Sequence, residues 1–250
     1  MTFSRTSLSL LMAGLFSGAA MAAPVEVYIE QELSSNATDE SVYKTEAGAV
    51  IDTSENGYVY VGFDDQGWLA AGYGHSFALS DAWSLGLYGE LGKWEDGEEM
   101  LLEAVVDYQL VDNINLFAGY GYNRSGQTPE LLSDTAINTN QFIAGTSMAF
   151  GQFSLDYTYT HEKRDGSNGF ISGPGGGVDF SQDSYRTNEH EVVFSMYIDD
   201  WRPYVKYTYF NSGADSAEAI SSSPFSSNNL PLYVPVDSDH IWTVGLAYQF

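Results

Sequence analysis

Large apolar residues alternate with small or polar ones along most of this chain, most clearly over residues 237–250. Trp242, Val244, Leu246, Tyr248 and Phe250 are large and apolar, while Thr243, Gly245, Ala247 and Gln249 between them are small or polar. A period of two belongs to a β-strand with one face toward an apolar medium and the other toward a wetter one. A last strand of that kind has two bare edges and needs a neighbour on each, and pairing with the first strand supplies one. The pattern predicts a closed barrel.

Read in order, the alternation recurs over residues 25–33, 43–52, 58–64, 68–77, 83–94, 99–110, 114–123, 140–150, 153–164, 189–198 and 202–210. With the closing stretch this gives about twelve strands of about 8–12 residues, near the length a tilted membrane-spanning strand needs. Asn, Asp, Gly and Ser sit at nearly every junction, as tight turns require. With the amino terminus on the periplasmic side, the connections at 53–57, 78–82, 111–113, 151–152 and 199–201 face inward and are short. Those at 124–139, 165–188 and 211–236 face outward and are long. Short turns inside and long loops outside are the outer-membrane pattern. A secreted two-sheet sandwich, the competing architecture, gives no reason for such sorting. The predicted fold class is an all-β transmembrane antiparallel barrel of about twelve strands.

The amino-terminal residues give this barrel a destination. Arg5 provides a short positive region, residues 8–16 an apolar core, and Ala20-Met21-Ala22 a small-residue cleavage pattern. Together they predict a signal peptide over residues 1–22 and an exported barrel domain over residues 23–250. No later run reaches about 18 apolar residues, so a membrane crossing falls to strands. Aromatic residues make up 15% of the chain, which suits strands and interfacial girdles. Cysteine is absent, which excludes a disulfide framework and a thiolate metal site. A formal charge of −25 excludes nucleic acid as a partner, because phosphate binding needs a basic surface.

Lipid cannot satisfy polar groups, so the apolar set should point outward: Leu85, Leu87, Leu91, Leu102, Val106, Leu116, Phe142, Leu155, Phe194 and Val205 among others. Tyr159, Tyr209, Trp83 and Trp242 lie nearer strand ends and suit a girdle at headgroup level. The residues between them should point inward. Candidate pore-lining side chains are Glu30, Lys44, Glu90, Glu103, Asp107, Asp156, Glu162, Arg164, Glu191, Arg202, Tyr204 and Lys206. Tyr60, Tyr88, Tyr204 and Trp68 are candidate stacking platforms for a sugar. Acids outnumber bases in this set, and a low-dielectric wall focuses their field into the lumen. The expectation is a narrow aqueous pore favouring cations and neutral solutes over anions.

His190, Trp201, Pro203-Tyr204-Val205 and the closing Thr243-Val244-Gly245-Leu246-Ala247-Tyr248-Gln249-Phe250 resemble the end of the oligogalacturonate-specific porin family. That resemblance implies a twelve-stranded outer-membrane barrel that passes acidic oligosaccharides along basic tracks in its pore. This chain departs from the pattern, since only Lys44, Arg164, Arg202 and Lys206 fall on inward positions, with Lys93, Lys163 and Arg186 near the rims. A local basic strip from Arg202 with Lys206 and Lys163 with Arg164 is one expectation to test.

Four histidines raise the question of catalysis, because His161-Glu162, Glu189-His190-Glu191 and Asp239-His240 set imidazole beside carboxylate. Adjacent residues on a strand point to opposite faces, so none of these is a preformed dyad. The chain is expected to be no enzyme and to need no cofactor. The acidic tips Asp64-Asp65 and residues 95–99 offer oxygen ligands of the kind Ca²⁺ or Mg²⁺ takes, although a solvated loop has the same composition. Residues 173–177, rich in Gly around Pro174, make one outward loop pliable.

The sequence thus predicts a passive outer-membrane channel for small hydrophilic solutes or oligosaccharides. Its expected partners are outer-membrane lipid, lipopolysaccharide, and the barrel-assembly machinery through the strand ending at Phe250. The alternative is a non-conducting barrel serving envelope structure or adhesion through its loops.

Overall fold

The computed structural model describes residues 24–34, 43–95, 97–127, 136–173, 176–182, 184–213, 218–221 and 238–250. The predicted signal peptide lies outside the described residues, as do Asp96, Pro174 and Gly175. Twelve strands form one closed barrel: β1 (Val25–Ser34), β2 (Tyr43–Ser54), β3 (Gly57–Asp64), β4 (Leu69–Ala78), β5 (Trp83–Trp94), β6 (Gly97–Val111), β7 (Ile114–Gln127), β8 (Ile137–Phe150), β9 (Phe153–Arg164), β12 (Tyr185–Met196), β13 (Trp201–Ser212) and β15 (Ser238–Gln249). The remaining β10 (Ser167–Gly173), β11 (Gly176–Gln182) and β14 (Glu218–Ser221) make a separate three-stranded sheet carried by two connections. Every neighbouring pair in the barrel is antiparallel, and β1 closes it against β15 from Glu26↔Gln249 to Ser34↔Ile241. The Phe250 N–H donates to the Val25 carbonyl (2.9 Å), so first and last strands meet flush.

The strand count and order agree with the sequence, while several bounds move. β7 and β8 run past the predicted 114–123 and 140–150, and β12 starts at Tyr185 rather than at residue 189. The added residues, such as Arg124, Asn138 and Arg186, are polar, so hydrophobic alternation cannot find them. A backbone ladder continues wherever both edges are available, whatever the side chains are. Residues 165–188, predicted as one loop, hold β10, β11 and the start of β12.

The connections at 55–56, 79–82, 112–113, 151–152 and 197–200 are short and share an end of the barrel with Val25 and Phe250. Asp199 turns there with φ of 50° and Gly151 with φ of 64°. The long connections are at the other end, alongside two short ones at 65–68 and 95–96. These are called the turn end and the loop end below.

Side chains alternate across the wall as the pattern predicts. Leu87, Leu91, Leu102, Leu116, Phe142, Phe194, Val205, Trp242, Val244 and Leu246 are exposed on the outside. Across β9, β12, β13 and β15 the outer face is layered by depth. Tyr159, His190, Tyr209 and His240 stand in one cross-strand row near the loop end, with ring centroids 5.1–6.3 Å apart. Below them Tyr157, Val192, Tyr207 and Trp242 form the next row. Leu155, Phe194, Val205 and Val244 follow, and Trp201 packs on Tyr248 at the turn end with centroids 4.6 Å apart. Tyr209 and Trp201 are eight residues apart, which is ~26 Å along a strand and ~20 Å in depth at a barrel's tilt. Two aromatic belts thus bound an apolar band of bilayer dimension.

Candidate functional site in the barrel lumen

Of the candidate lining residues, Glu30, Glu90, Glu103, Glu162, Glu191, Arg202, Tyr204 and Lys206 are buried, Asp107 and Asp156 line a cavity, and the wall they share is not uniform. On one side β15 presents only Thr243, Gly245 and Ala247 inward over its middle, all buried. These residues are small, so side chains of β13 reach across β15 to β1. Arg202 Nη2 donates to Glu26 Oε1 (2.5 Å), Tyr204 Oη to Glu30 Oε2 (2.9 Å) and Lys206 Nζ to Glu30 Oε1 (3.3 Å). On β2, Lys44 Nζ sits 3.2 Å from Glu32 and 3.5 Å from Glu46. Tyr28 Oη donates to Glu46 Oε1 (2.8 Å) and lies 3.0 Å from Tyr60 Oη. The Arg202, Lys206 and Lys44 cations of this wall are therefore each held by carboxylates of the same wall. A chain of buried, hydrogen-bonded pairs is stiff, since removing one partner strands the other charge.

The other side is carboxylate on neutral ground. Glu90, Glu103, Asp107, Asp156, Glu162 and Glu191 face in from β5, β6, β9 and β12, and the inward base on these strands is Arg164, near the loop end. Several of these acids accept from neutral donors. Tyr88 Oη donates to Glu90 (2.5 Å), Gln141 Nε2 to Glu162 Oε1 (2.7 Å) and Thr187 Oγ1 to Glu162 Oε2 (3.1 Å), while Trp68 Nε1 donates to Glu99 (2.9 Å). On β6, Glu99, Glu103 and Asp107 recur every four residues, which spaces carboxylates ~13 Å apart up one strand.

A cavity of ≈ 620 Å³ occupies the turn-end half of the lumen and reaches the turns at Ala82, Asn113 and Gly151. Glu103, Asp107, Asp156 and Glu191 line it, and Arg202 is the one Lys or Arg among its described lining. Tyr58 and Tyr88 also line it, with rings stacked at 6.0 Å and 19°.

Three of the expected stacking platforms are not open surfaces. Tyr60 is 0% exposed, Tyr204 3% and Trp68 4%. The reason is their glycine neighbours: a Cβ at Gly245 would meet the Tyr204 ring, one at Gly62 would meet Tyr60, and one at Gly92 would come 3.0 Å from Trp68 Nε1. Each ring lies flat against its strand where a side chain is missing. Tyr58, which sequence reading passed over, lies the same way over Gly74. A Tyr paired across strands with a Gly is a sequence signal only once register is known.

The interior also carries apolar side chains that alternation alone did not single out. Leu101, Phe117, Ile143, Val193 and Ile241 face inward and are buried, Ile143 at 0% exposure. Val193 packs with the tyrosines and Phe117 with Ile143, and these three also line the cavity.

The histidine pairs separate as alternation requires. His161, His190 and His240 lie on the outer face, with Nδ1 2.9 Å from Asn188 Oδ1, 2.9 Å from Tyr157 Oη and 2.7 Å from Tyr207 Oη respectively. Glu162, Glu189, Glu191 and Asp239 are buried inside. Asp64, one of the acidic tips considered for a cation, has turn work: Oδ1 accepts from the N–H of Gln66 (3.0 Å) and of Trp68 (2.8 Å).

No family model matches the chain, and no curated protein matches it in sequence. Solved structures do. The NanC porin superposes with a TM-score of 0.61 at 11% identity, covering 89% of this chain and 98% of that one. The KdgM porin in complex with disordered oligogalacturonate superposes with a TM-score of 0.56 at 10% identity, covering 90% and 99%. At such identity the likeness is one of fold: the chain is a closed twelve-stranded β-barrel similar to the NanC and KdgM porins.

Proposed function

We propose that this chain is an outer-membrane channel for passive diffusion of small hydrophilic solutes, selective for cations and neutral sugars over anions. The likeness to porin barrels and the two aromatic belts around an apolar band support the membrane placement. The selectivity rests on one observation: the lumenal cavity carries Glu103, Asp107, Asp156 and Glu191, while its Arg202 is engaged by Glu26. An anion entering there meets carboxylates and finds the cations of the opposite wall already neutralised. A basic track for carboxylated sugars would need free cations in the lumen, so the resemblance to the oligogalacturonate-specific family extends to transport class and not to acidic substrates. Tyr88, partly exposed on the cavity wall, offers a face on which a neutral sugar ring can stack. The work is done by the wall, without catalysis or cofactor, and His161, His190 and His240 stand on the outer face.

The deciding measurement is conductance of the refolded protein in a planar bilayer, with reversal potential across a KCl gradient. Cation preference is expected, and Glu103→Gln with Asp156→Asn should move the reversal potential toward zero. Anion preference would overturn the selectivity. The burial of Tyr60 and Ile143 favours a second reading, a non-conducting barrel whose role lies in its loops. Absence of current from protein shown to be folded would establish that one.

A further inference from the structure

Four of the basic residues of the strands face out of the barrel rather than into it: Lys93, Arg124, Lys163 and Arg186. Their placement in so acidic a chain is uneven. Lys163 on β9 and Arg186 on β12 are register partners, so two like charges stand directly opposite each other on one face. Like charges so placed destabilise a strand pair. Both are exposed, and among the described residues neither has an ion pair. Asp165 is nearby but accepts from Asn138 Nδ2 (3.2 Å).

The pair sits in a built surface. Asn140 of β8 is the next register partner of Lys163 and accepts from Tyr120 Oη. One residue pair higher, Arg124 Nη1 and Tyr122 Oη both donate to Asn138 Oδ1 at 2.6 Å. Four residues below Lys163 on the same strand comes Tyr159 of the loop-end aromatic belt. The cations therefore stand ~10 Å above that belt once strand tilt is counted. That is the level of charged headgroups when the belt marks the edge of the hydrocarbon.

We propose that Lys163 and Arg186, flanked by Asn140 and Arg124, form a binding site for the phosphates of a phosphorylated glycolipid of the outer leaflet. The site rests on the outer-membrane reading above and gives that membrane's lipopolysaccharide a specific seat on the barrel. Phosphate relieves the repulsion between the two cations with charge-assisted hydrogen bonds, while acyl chains run down the apolar face below the belt.

The test uses the full chain refolded into phosphatidylcholine vesicles with and without lipopolysaccharide. Glycolipid retained after detergent exchange and the temperature of the heat-modifiable gel shift are both read. Parent protein should retain glycolipid and unfold at a higher temperature with it. The double variant Lys163→Glu, Arg186→Glu should retain roughly tenfold less, the scale of a lost charge-assisted hydrogen bond, and lose the thermal gain. Lys163→Arg should keep both. Equal retention by parent and charge-reversed protein overturns the proposal, as does equal retention of dephosphorylated lipopolysaccharide. A thermal gain reproduced by inorganic phosphate alone overturns the glycolipid as the source. Failure of the parent to insert into any vesicle is distinguishable and sinks the membrane reading itself. An unchanged gel shift of both variants in plain phosphatidylcholine verifies their folding.

Discussion

At the scale of single residues, the difference between Glu30 and Glu32 shows how position on one strand sets energetic weight. Glu30 is 4% exposed at its side chain and holds both Tyr204 and Lys206. Glu32, two residues on, is 15% exposed and meets Lys44 at 3.2 Å, a cation that Glu46 also holds. Removing Glu30 strands a buried ammonium and a buried phenol, whereas removing Glu32 leaves Lys44 a partner. Glu30→Ala should therefore cost about 3–5 kcal/mol in urea unfolding from lipid vesicles. Glu32→Ala should cost about 1 kcal/mol or less. Equal losses would mean that the β13 to β1 network carries no special weight.

At the scale of elements, the β13–β15 pair shows a device used around the wall. Tyr204 and Gly245 are register partners, and the ring lies in the space a side chain at Gly245 would fill. Tyr28 over Gly48 and Tyr58 over Gly74 repeat it on β1–β2 and β3–β4. Covering a glycine with an aromatic ring stiffens a strand that glycine would loosen, and it keeps bulk close to the wall. Gly245→Val should destabilise the barrel by about 1–3 kcal/mol through overpacking. Tyr204→Ala in the same chain should recover part of that loss, and the non-additivity in a double-mutant unfolding cycle measures the ring-to-strand contact. Strict additivity would show that the ring moves aside freely.

For the whole molecule, the two ends differ. The acidic cavity opens among the turns at Ala82, Asn113 and Gly151, while Glu162, Thr187 and Asp239 near the loop end are buried. Asp107 and Asp156 line that cavity, so a divalent cation reaches them from the turn end without passing the loop-end positions. Mg²⁺ added on that side of a planar bilayer should reduce K⁺ current at lower concentration than Mg²⁺ on the loop side, with channel orientation identified by protease access to the long loops. Identical block from both sides would place the controlling carboxylates at mid-depth instead.

Much of this architecture was legible in the chain itself. A strand between lipid and lumen writes its two environments into alternate residues, so Trp242, Val244 and Leu246 announce their face without any partner. Turn residues between such runs then set the strand count and the sorting of short and long connections. Hydrophobic alternation stops at the edge of the apolar band, which is why the polar extensions of β7, β8 and β12 and the extra sheet of β10, β11 and β14 were not foreseen. What only the tertiary structure decided is the interior. Inward residues were identifiable strand by strand, but whether Lys206 meets Glu30 depends on closure, which sets two non-adjacent strands on either side of a β15 made of small residues. Register decides that Tyr204 covers Gly245, and the pairing of β7 with β8 decides that Ile143 packs against Phe117. Those are relations between distant parts of the chain, and local pattern carries no record of them.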